Sequence, residues 1–130
     1  HHKKAKTYLD CRYKNRHKMI TGDSRETIPK YIEIYPSIRF DLVYIDGRRD
    51  FQIVWRDLVN CRRMSTSETI VVIANVVLDP KLRRDHNVGS IRAWNRMIER
   101  QLVQEIGHIA HGQGLGWSWG KYLYRVGASI

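Results

Sequence analysis

The sequence has little of what marks membrane, secreted or metal-bound proteins. No apolar run approaches the roughly 20 residues that a membrane-spanning helix needs, and no signal peptide is recognisable. The two cysteines, Cys11 and Cys61, are too few for a disulfide framework, and they form neither a CxxC nor a zinc-binding pattern. These absences indicate a reducing, intracellular compartment and no association with a membrane.

Acidic residues are scarce relative to basic ones. The chain has 13 Asp and Glu against 23 Lys and Arg, which gives a formal net charge of +10. Basic residues cluster in residues 3–6, 12–18 and 81–85. One interpretation is a solvated basic surface, and the other is a partner that is RNA or an acidic protein. Because no RRM, KH, zinc-finger or arginine-rich repeat signature is present, the charge indicates only non-specific electrostatic attraction.

The chain opens on His1-His2 and has no initiator Met. It is therefore expected to be processed, cut, or one piece of a longer protein, and the two histidines are also compatible with a tag remnant. At 130 residues we expect at most one domain, residues 1–130. The apolar content of 42% is enough for a globular core.

Helical and strand patterns alternate along the sequence. Apolar residues at helical spacing predict helices, and β-branched or alternating runs predict strands. The predicted helices lie within residues 24–36, 50–64 and 90–102, and the predicted strands within 17–21, 40–46, 69–78, 103–110 and 116–126. This alternation favours an α/β parallel sheet, in which the most apolar strand, 69–78, is buried on both faces.

Polar residues follow three of these strands directly. In an open α/β sheet, ligands bind beyond the carboxyl ends of the strands, so these tips are the candidate site: Gly22-Asp23-Ser24, Asp46-Gly47-Arg48-Arg49 and Ala74-Asn75. A tip glycine allows close backbone approach, and a tip carboxylate accepts hydrogen bonds from a ligand. The alternative is local, with Asp23 and Asp50 as helix caps and Asp46 as a turn residue.

Taken together, several of these stretches resemble one enzyme family. "HKMITGDSRETIP", "FDLVYIDGRRDFQIVWRDL", "TIVVIANVV", "VGSIRAW" and "GWSWGKY" fall in the order seen in class I S-adenosylmethionine-dependent methyltransferases. The resemblance is greatest to small-molecule O-methyltransferase-like domains, and it covers roughly residues 5–126. It implies a seven-stranded, mostly parallel Rossmann-like sheet with helices on both faces. Residues 17–21 are then its third strand, 40–46 its fourth, 69–75 its fifth, and the tail its last two.

The resemblance also implies a site for S-adenosylmethionine. By carry-over, Asp23 lies near the adenine with Ser24 beside it, and Asp46 faces the methionine end of the cofactor or the substrate. Asp46 is the candidate base, and Asn75 takes the last position of the metal-binding pair found in Mg²⁺-dependent relatives. The candidate cofactor-binding residues are Gly22, Asp23, Ser24, Asp46 and Gly47.

Three departures from the family pattern qualify these expectations. The family's first two strands and its glycine-rich loop have no counterpart, since no GxGxG occurs in the sequence. Ala74 stands where relatives carry an aspartate, and Arg49 replaces the histidine of their "DGxH". Because a hard divalent cation needs several oxygen ligands, we expect no metal. We also expect little affinity of the isolated chain for S-adenosylmethionine, since the glycine-rich loop normally contacts it.

The missing strands raise a folding problem. In the family's sheet order, the first two strands separate the third from the fourth, so residues 17–21 lack a neighbour. Unpaired backbone groups on a buried strand are costly. We therefore expect a further segment of the polypeptide, or a partner chain, to complete the sheet. Failing that, residues 17–21 are expected to be displaced.

Two function hypotheses follow. In the first, the completed domain transfers a methyl group from S-adenosylmethionine to an oxygen or nitrogen of an unknown acceptor. In the second, the chain is a catalytically degenerate methyltransferase fold that serves as a basic structural or binding module in an RNA-associated or multi-subunit assembly. The absent loop, Ala74, Arg49 and the net charge favour the second hypothesis, whereas Asp23 and Asp46 favour the first.

Overall fold

The computed structural model describes residues 2–47 and 50–124, and these form four α-helices and one four-stranded sheet. The helices are α1 (His2–Arg12), α2 (Ser24–Ile34), α3 (Phe51–Arg62) and α4 (Gly89–Glu99), and the strands are β1 (Leu42–Ile45), β2 (Ile70–Val77), β3 (Val103–Gly112) and β4 (Leu115–Tyr122). A short 3₁₀ helix, Pro80–Leu82, precedes α4. No helix in the described ranges is long and apolar enough to cross a membrane.

The sheet is mixed, with strand order β1-β2-β4-β3. Strands β1 and β2 are parallel, and Val43 lies opposite Val71. Strand β4 pairs antiparallel with both β2 and β3. The predicted parallel pairing of residues 40–46 with 69–75 is confirmed. It brings the carboxyl ends of β1 and β2 together at one edge of the sheet, where ligands bind in α/β folds.

One hydrophobic core joins the sheet to the helices. Inward residues of β1 and β2 pack with α3 and α4, and α2 packs against α3. The core includes Val43, Ile45, Val54, Leu58, Val71, Ile73, Trp94, Met97 and Tyr122. The predicted class, an incomplete α/β Rossmann-like sheet, is confirmed. The described chain departs from the predicted mostly parallel sheet in two respects: two of its three strand pairings are antiparallel, and α3 and α4 cover one face of the sheet and not both.

The opposite face of the sheet carries exposed apolar side chains. Leu42 and Tyr44 of β1 are 61% and 53% exposed, and Ile109 of β3 is 54% exposed. Trp117 and Trp119 share this face, as their spacing predicts, because they lie opposite Ile109 and Gly107 in the register of β3 and β4. A strand has two faces, and the elements of the described chain bury only one of them.

Residues 17–21, predicted as the third strand, form no strand. The segment instead passes close to α2, where Lys18 Nζ lies 3.1 Å from the Tyr35 hydroxyl and 4.8 Å from the centre of its ring. A strand forms only where a neighbour accepts its backbone hydrogen bonds, and no described strand lies beside this segment. The described chain therefore shows these residues without a neighbouring strand, as expected for an uncompleted sheet.

Two aspartates fix the starts of α2 and α3. The Asp23 carboxylate accepts a hydrogen bond from the Arg25 backbone N–H at 2.9 Å, and that of Asp50 accepts one from Gln52 at 2.9 Å. A carboxylate at this position satisfies N–H groups that have no partner within the helix. Both predicted caps are confirmed, and α2 ends at Ile34, just before Pro36.

The two tryptophans predicted as core anchors differ in burial. Trp94 of α4 is fully buried, and its indole N–H donates a hydrogen bond to Glu105 of β3. Trp55 of α3 is half-buried and stacks on Phe51.

Strand β4 ends at Tyr122, and residues 125–126 of its predicted range lie outside the described residues.

Candidate active site

The tips of β1 and β2 bring a carboxylate and an amide into contact. Asp46 directly follows β1, is exposed to solvent, and accepts a hydrogen bond from Asn75 Nδ2 at 2.7 Å. Asn75 has a φ of 59°, and it lies where the register of β2 against β4 shifts between Ile73 and Val76. Asn tolerates this left-handed conformation better than most residues. The pair therefore results from parallel pairing together with one irregularity in β2.

This pair offers proton-accepting chemistry more readily than metal binding. Asn75 engages Asp46 Oδ1, and no hydrogen bond joins the other carboxylate oxygen to the residues that the structure describes. Ala74 is buried, 5% exposed, and its side chain supplies no oxygen ligand. No group of three or more His, Cys, Asp or Glu in the described ranges could hold a metal ion. Arg48 and Arg49, which the sequence places beside Asp46, lie outside the described residues.

Four of the five candidate cofactor residues line one cavity of about 360 Å³. They are Gly22, Asp23, Ser24 and Gly47, and the remaining lining residues are Arg25, Ile53 and Asp57. The cavity lies between the loop that opens α2 and the loop that follows β1. Asp46, the fifth candidate, adjoins it through Gly47. The structure thus places the predicted residues in a cleft and, next to it, the pair of strand-tip side chains.

Gly22 shapes the entrance to this cavity. Its φ is 140°, and a Cβ atom built on it would lie 2.9 Å from Thr27 Cγ2. Both the backbone conformation and the close approach favour glycine at this position. The sharp turn delivers Asp23 and Ser24 to the amino end of α2.

Asp23 is already engaged by its neighbour. Its carboxylate accepts hydrogen bonds from the Arg25 backbone N–H at 2.9 Å and from Arg25 Nη2 at 2.6 Å. An exposed pair of this kind contributes little to stability, but it orients the carboxylate. The local interpretation of Asp23 as a helix cap is therefore correct, and any role toward a ligand comes in addition to it.

Asp57 was not among the predicted site residues. It lies on the apolar face of α3, three residues after Val54 and four before Cys61, and is 8% exposed. Burial raises the pKa of its carboxyl group, the charge of Asp23 raises it further, and a hydrogen bond from Ser24 and the charge of Arg25 lower it. A carboxylate at core spacing is the sequence signal that would have identified it, since buried acids are rare.

The raised pKa of Asp57 gives a stability prediction. A carboxyl group whose pKa is higher when folded costs stability above its unfolded pKa, because the fold then buries a charge. Asp57→Asn is therefore expected to raise the free energy of unfolding at pH 7, while Asn keeps an acceptor for Ser24. The gain is expected to vanish below pH 3.8, the ordinary pKa of an aspartate, because the wild-type carboxyl is then protonated in both the folded and the unfolded state.

Urea denaturation at pH 7 and at about pH 3 measures this difference. Asp41→Asn is the matched control, because it removes an equal charge from an exposed position at the start of β1. It is expected to show no comparable change with pH. A loss of stability in Asp57→Asn that is equal at both pH values would contradict the prediction.

The chain is similar to methyltransferases in sequence and in structure. The sequence profile of a family described as a methyltransferase domain matches residues 1–76. No curated protein matches the sequence. The structure is similar to TDP-rhamnose 3′-O-methyltransferase CalS11, an enzyme in calicheamicin biosynthesis, with a TM-score of 0.65 and 19% identity. That alignment covers 89% of this chain and 50% of CalS11.

A second solved structure is a protein from Klebsiella pneumoniae that is classed as an O-methyltransferase. It aligns with a TM-score of 0.72 and 19% identity, over 94% of this chain and 57% of its own. The chain therefore spans about half the length of the solved structures that it matches. Likeness at this identity establishes the fold. Together with the family match, which covers more than half of the sequence, it shows that the chain belongs to the methyltransferase-domain family and has a class I, S-adenosylmethionine-dependent O-methyltransferase-like fold.

Proposed function

We propose that this chain carries the acceptor side of a methyltransferase that moves a methyl group from S-adenosylmethionine to an oxygen or nitrogen of an acceptor yet to be identified. The observation that carries the proposal is the contact of Asp46 with Asn75 at the tips of β1 and β2, beside the cavity lined by Gly47. Transfer to an O–H or N–H nucleophile needs a place for the donor and a group that receives the proton, and in this proposal the cavity and Asp46 supply them side by side.

Each residue of the pair has a distinct task in this proposal. When bound, S-adenosylmethionine supplies an electrophilic methyl group. Asp46 accepts the proton that the nucleophile loses, or orients that nucleophile. Asn75 holds one carboxylate oxygen at 2.7 Å, so the other keeps a defined direction. Such positioning is the main source of rate in an in-line transfer.

The cavity suits the adenine end of the donor. It combines an apolar wall from Ile53 with polar atoms of Ser24 and Asp57, and its two glycines, Gly22 and Gly47, allow close approach. Concave sites that bind small molecules commonly pair apolar walls with a few placed polar groups. In this proposal the lining residues hold the adenine ring, and Asp46 lies toward the methyl group that is transferred.

We also propose that a further polypeptide segment, from this protein or from a partner chain, completes the sheet. Within the described ranges no strand pairs with the outer edge of β1, and Leu42 and Tyr44 expose apolar surface beside that edge. Free edges and contiguous apolar surface are both costly in water. A covering segment would remove both from solvent.

An RNA or acidic partner stays a prediction. Part of the positive charge has a local use, because Arg96 lies 4.5 Å from the centre of the Phe51 ring and Arg100 lies 5.3 Å from that of Trp55. Arginines placed over aromatic rings stabilise the packing of two helices. Of the two function hypotheses, we therefore favour methyl transfer over a basic binding module.

Calorimetry of the isolated chain with S-adenosylmethionine tests how the donor is held. We expect no micromolar affinity, because the described cavity accounts for the adenine end alone. A micromolar dissociation constant would contradict this expectation. A longer natural polypeptide that carries this chain is expected to bind the donor and to transfer its methyl group, and absence of transfer from that polypeptide to all oxygen and nitrogen nucleophiles tried would contradict the proposed function.

Methyl transfer is expected to be independent of divalent metal. A Mg²⁺ site needs near-octahedral oxygen ligands, whereas this tip offers one carboxylate, Asp46, and the neutral amide of Asn75. The measurement is the transfer rate with EDTA and after Mg²⁺ is restored. A rate that EDTA abolishes and Mg²⁺ recovers would contradict the prediction, and Ala74→Asp is the variant expected to raise metal affinity.

A further inference from the structure

A groove between α2 and α3 is lined by five polar side chains and one proline. The groove has a volume of about 580 Å³, and it meets the strand-tip cavity only at Arg25, which lines both. The lining residues are Arg25, Pro29, Gln52, Arg56, Asn60 and Arg63. Three of these side chains are cationic and none is a carboxylate. The groove therefore concentrates positive charge in a concave place, an arrangement that attracts anions.

Two of the three arginines have no anionic partner. Arg25 is already held by the Asp23 carboxylate, with Nη2 2.6 Å from Oδ2. Arg56 and Arg63 are exposed, and their side chains form no ion pair and donate no hydrogen bond within residues 2–47 and 50–124. The charges of these two arginines are therefore available to a ligand.

Asn60 lies between the two free arginines on α3. It follows Arg56 by four residues and precedes Arg63 by three, and residues at these spacings are neighbours on one face of a helix. Asn60 is 7% exposed, yet its side-chain amide has no hydrogen-bond partner among the described residues. In that part of the chain, the unpartnered side-chain atoms that are sealed from solvent are Asp57 Oδ1 and Ser118 Oγ. The Asn60 amide is therefore not sealed, and a ligand in the groove can reach it.

These groups match a phosphate group in geometry and in charge. Each guanidinium presents a planar fork of N–H donors that suits phosphate oxygens, and the Asn60 amide adds two N–H donors. A phosphate monoester carries a charge of about −1.5 to −2 at pH 7, which the two free arginines balance. The carboxyl end of α3 opposes an anion with only about half a unit charge. Attraction therefore exceeds repulsion at this position.

We propose that the α2–α3 groove binds the phosphate group of a small phosphorylated molecule, with Arg56 and Arg63 holding the anion and Asn60 donating a hydrogen bond between them. The volume falls within the roughly 300–1,000 Å³ of small-molecule sites, so the groove admits the body of a ligand besides its phosphate. A nucleic-acid backbone fits less well, because each of its diesters carries a single charge. The site is distinct from the strand-tip cleft, and the inference does not depend on methyl transfer.

Inorganic phosphate and two esters test the groove on the chain itself. Each is titrated into the ¹⁵N-labelled chain at pH 7 and constant ionic strength, and the backbone signals of Arg56 and Arg63 and the side-chain NH₂ signals of Asn60 are followed. Inorganic phosphate and glycerol phosphate, a monoester, are expected to give saturable shifts. Dimethyl phosphate, a singly charged diester, is expected to bind about 10-fold more weakly, because it offers fewer charged acceptors.

Substitutions in the groove separate a site from general attraction by net charge. Arg56→Gln and Arg63→Gln are each expected to weaken phosphate binding about 10-fold, the effect of losing hydrogen bonds between charged groups. Asn60→Asp keeps the shape of the side chain and is expected to abolish binding, because it places a carboxylate beside the anion. Arg12→Gln is the matched control, since Arg12 is exposed on α1 and does not line the groove. It is expected to keep the wild-type affinity.

Three results would overturn the inference. The first is the absence of saturable shifts with inorganic phosphate and with glycerol phosphate up to tens of millimolar. The second is an equal loss of affinity in Arg12→Gln and Arg56→Gln, which would indicate non-specific attraction. The third is Arg56-dependent binding of a single-stranded RNA without binding of either monoanionic or dianionic phosphate, which would assign the groove to a nucleic-acid backbone. Exposed Arg56 and Arg63 keep the test decisive if Asn60→Asp does not fold, and methyl transfer is judged separately.

Discussion

Replacing Asp46 by asparagine is expected to lower the rate of methyl transfer by about 10²- to 10⁴-fold, the usual contribution of a positioned acid or base. Asparagine nearly matches aspartate in shape but cannot take the proton from the nucleophile. The contact with Asn75, 2.7 Å in the wild type, is preserved because an amide oxygen also accepts a hydrogen bond. Geometry is thus largely kept while the proton acceptor is lost.

The steady-state parameters distinguish two roles for Asp46. If it receives the proton, kcat falls and KM for the donor changes little. If it only binds the methionine end of the cofactor, KM rises and kcat is retained. The assay uses the completed domain, whether a longer polypeptide or a partner chain supplies the further segment. Asp41→Asn, at the opposite end of the same strand region, is the control and is expected to keep the wild-type rate. Values of kcat and of KM for the donor that both lie within threefold of wild type, about 0.7 kcal/mol, would contradict both roles.

Replacing Trp94 by alanine is expected to cost about 3–5 kcal/mol of folding free energy. Trp94 is fully buried and belongs to the core that joins α4 to the sheet. Total stability of a domain is about 5–15 kcal/mol, so this one change would consume much of it. Urea denaturation followed by circular dichroism measures the loss.

Trp94→Phe separates packing from hydrogen bonding. Phenylalanine fills part of the same space but removes the indole N–H that donates to Glu105. A loss well below that of the alanine variant is expected, because most of the cost of Trp94→Ala comes from the cavity it leaves. An alanine variant within about 1 kcal/mol of wild type would mean that the core closes around the gap, contrary to the prediction.

Much of this fold is predictable from sequence, because its helices, caps and strands depend on interactions between residues that are close together in the chain. The apolar spacing of residues 24–36 and 50–64 predicts helices, and capping by Asp23 and Asp50 needs only neighbours two or three residues away. The β-branched run from Ile70 to Val77 predicts a buried strand. Parallel pairing of two such strands then brings Asp46 and Asn75 to one edge, as the order of strands and helices implies.

Tertiary structure decided the rest, because pairing and burial depend on neighbours distant in sequence. Residues 17–21 have the composition of a strand but find no strand to pair with in the described chain. Leu42 is as apolar as Val43, and only the placement of α3 and α4 determines which face of β1 is buried. In the sequence, Asp57 is one polar residue of an amphipathic helix. It becomes a candidate site residue only in the folded structure, where packing buries it beside Ser24 and Gly47.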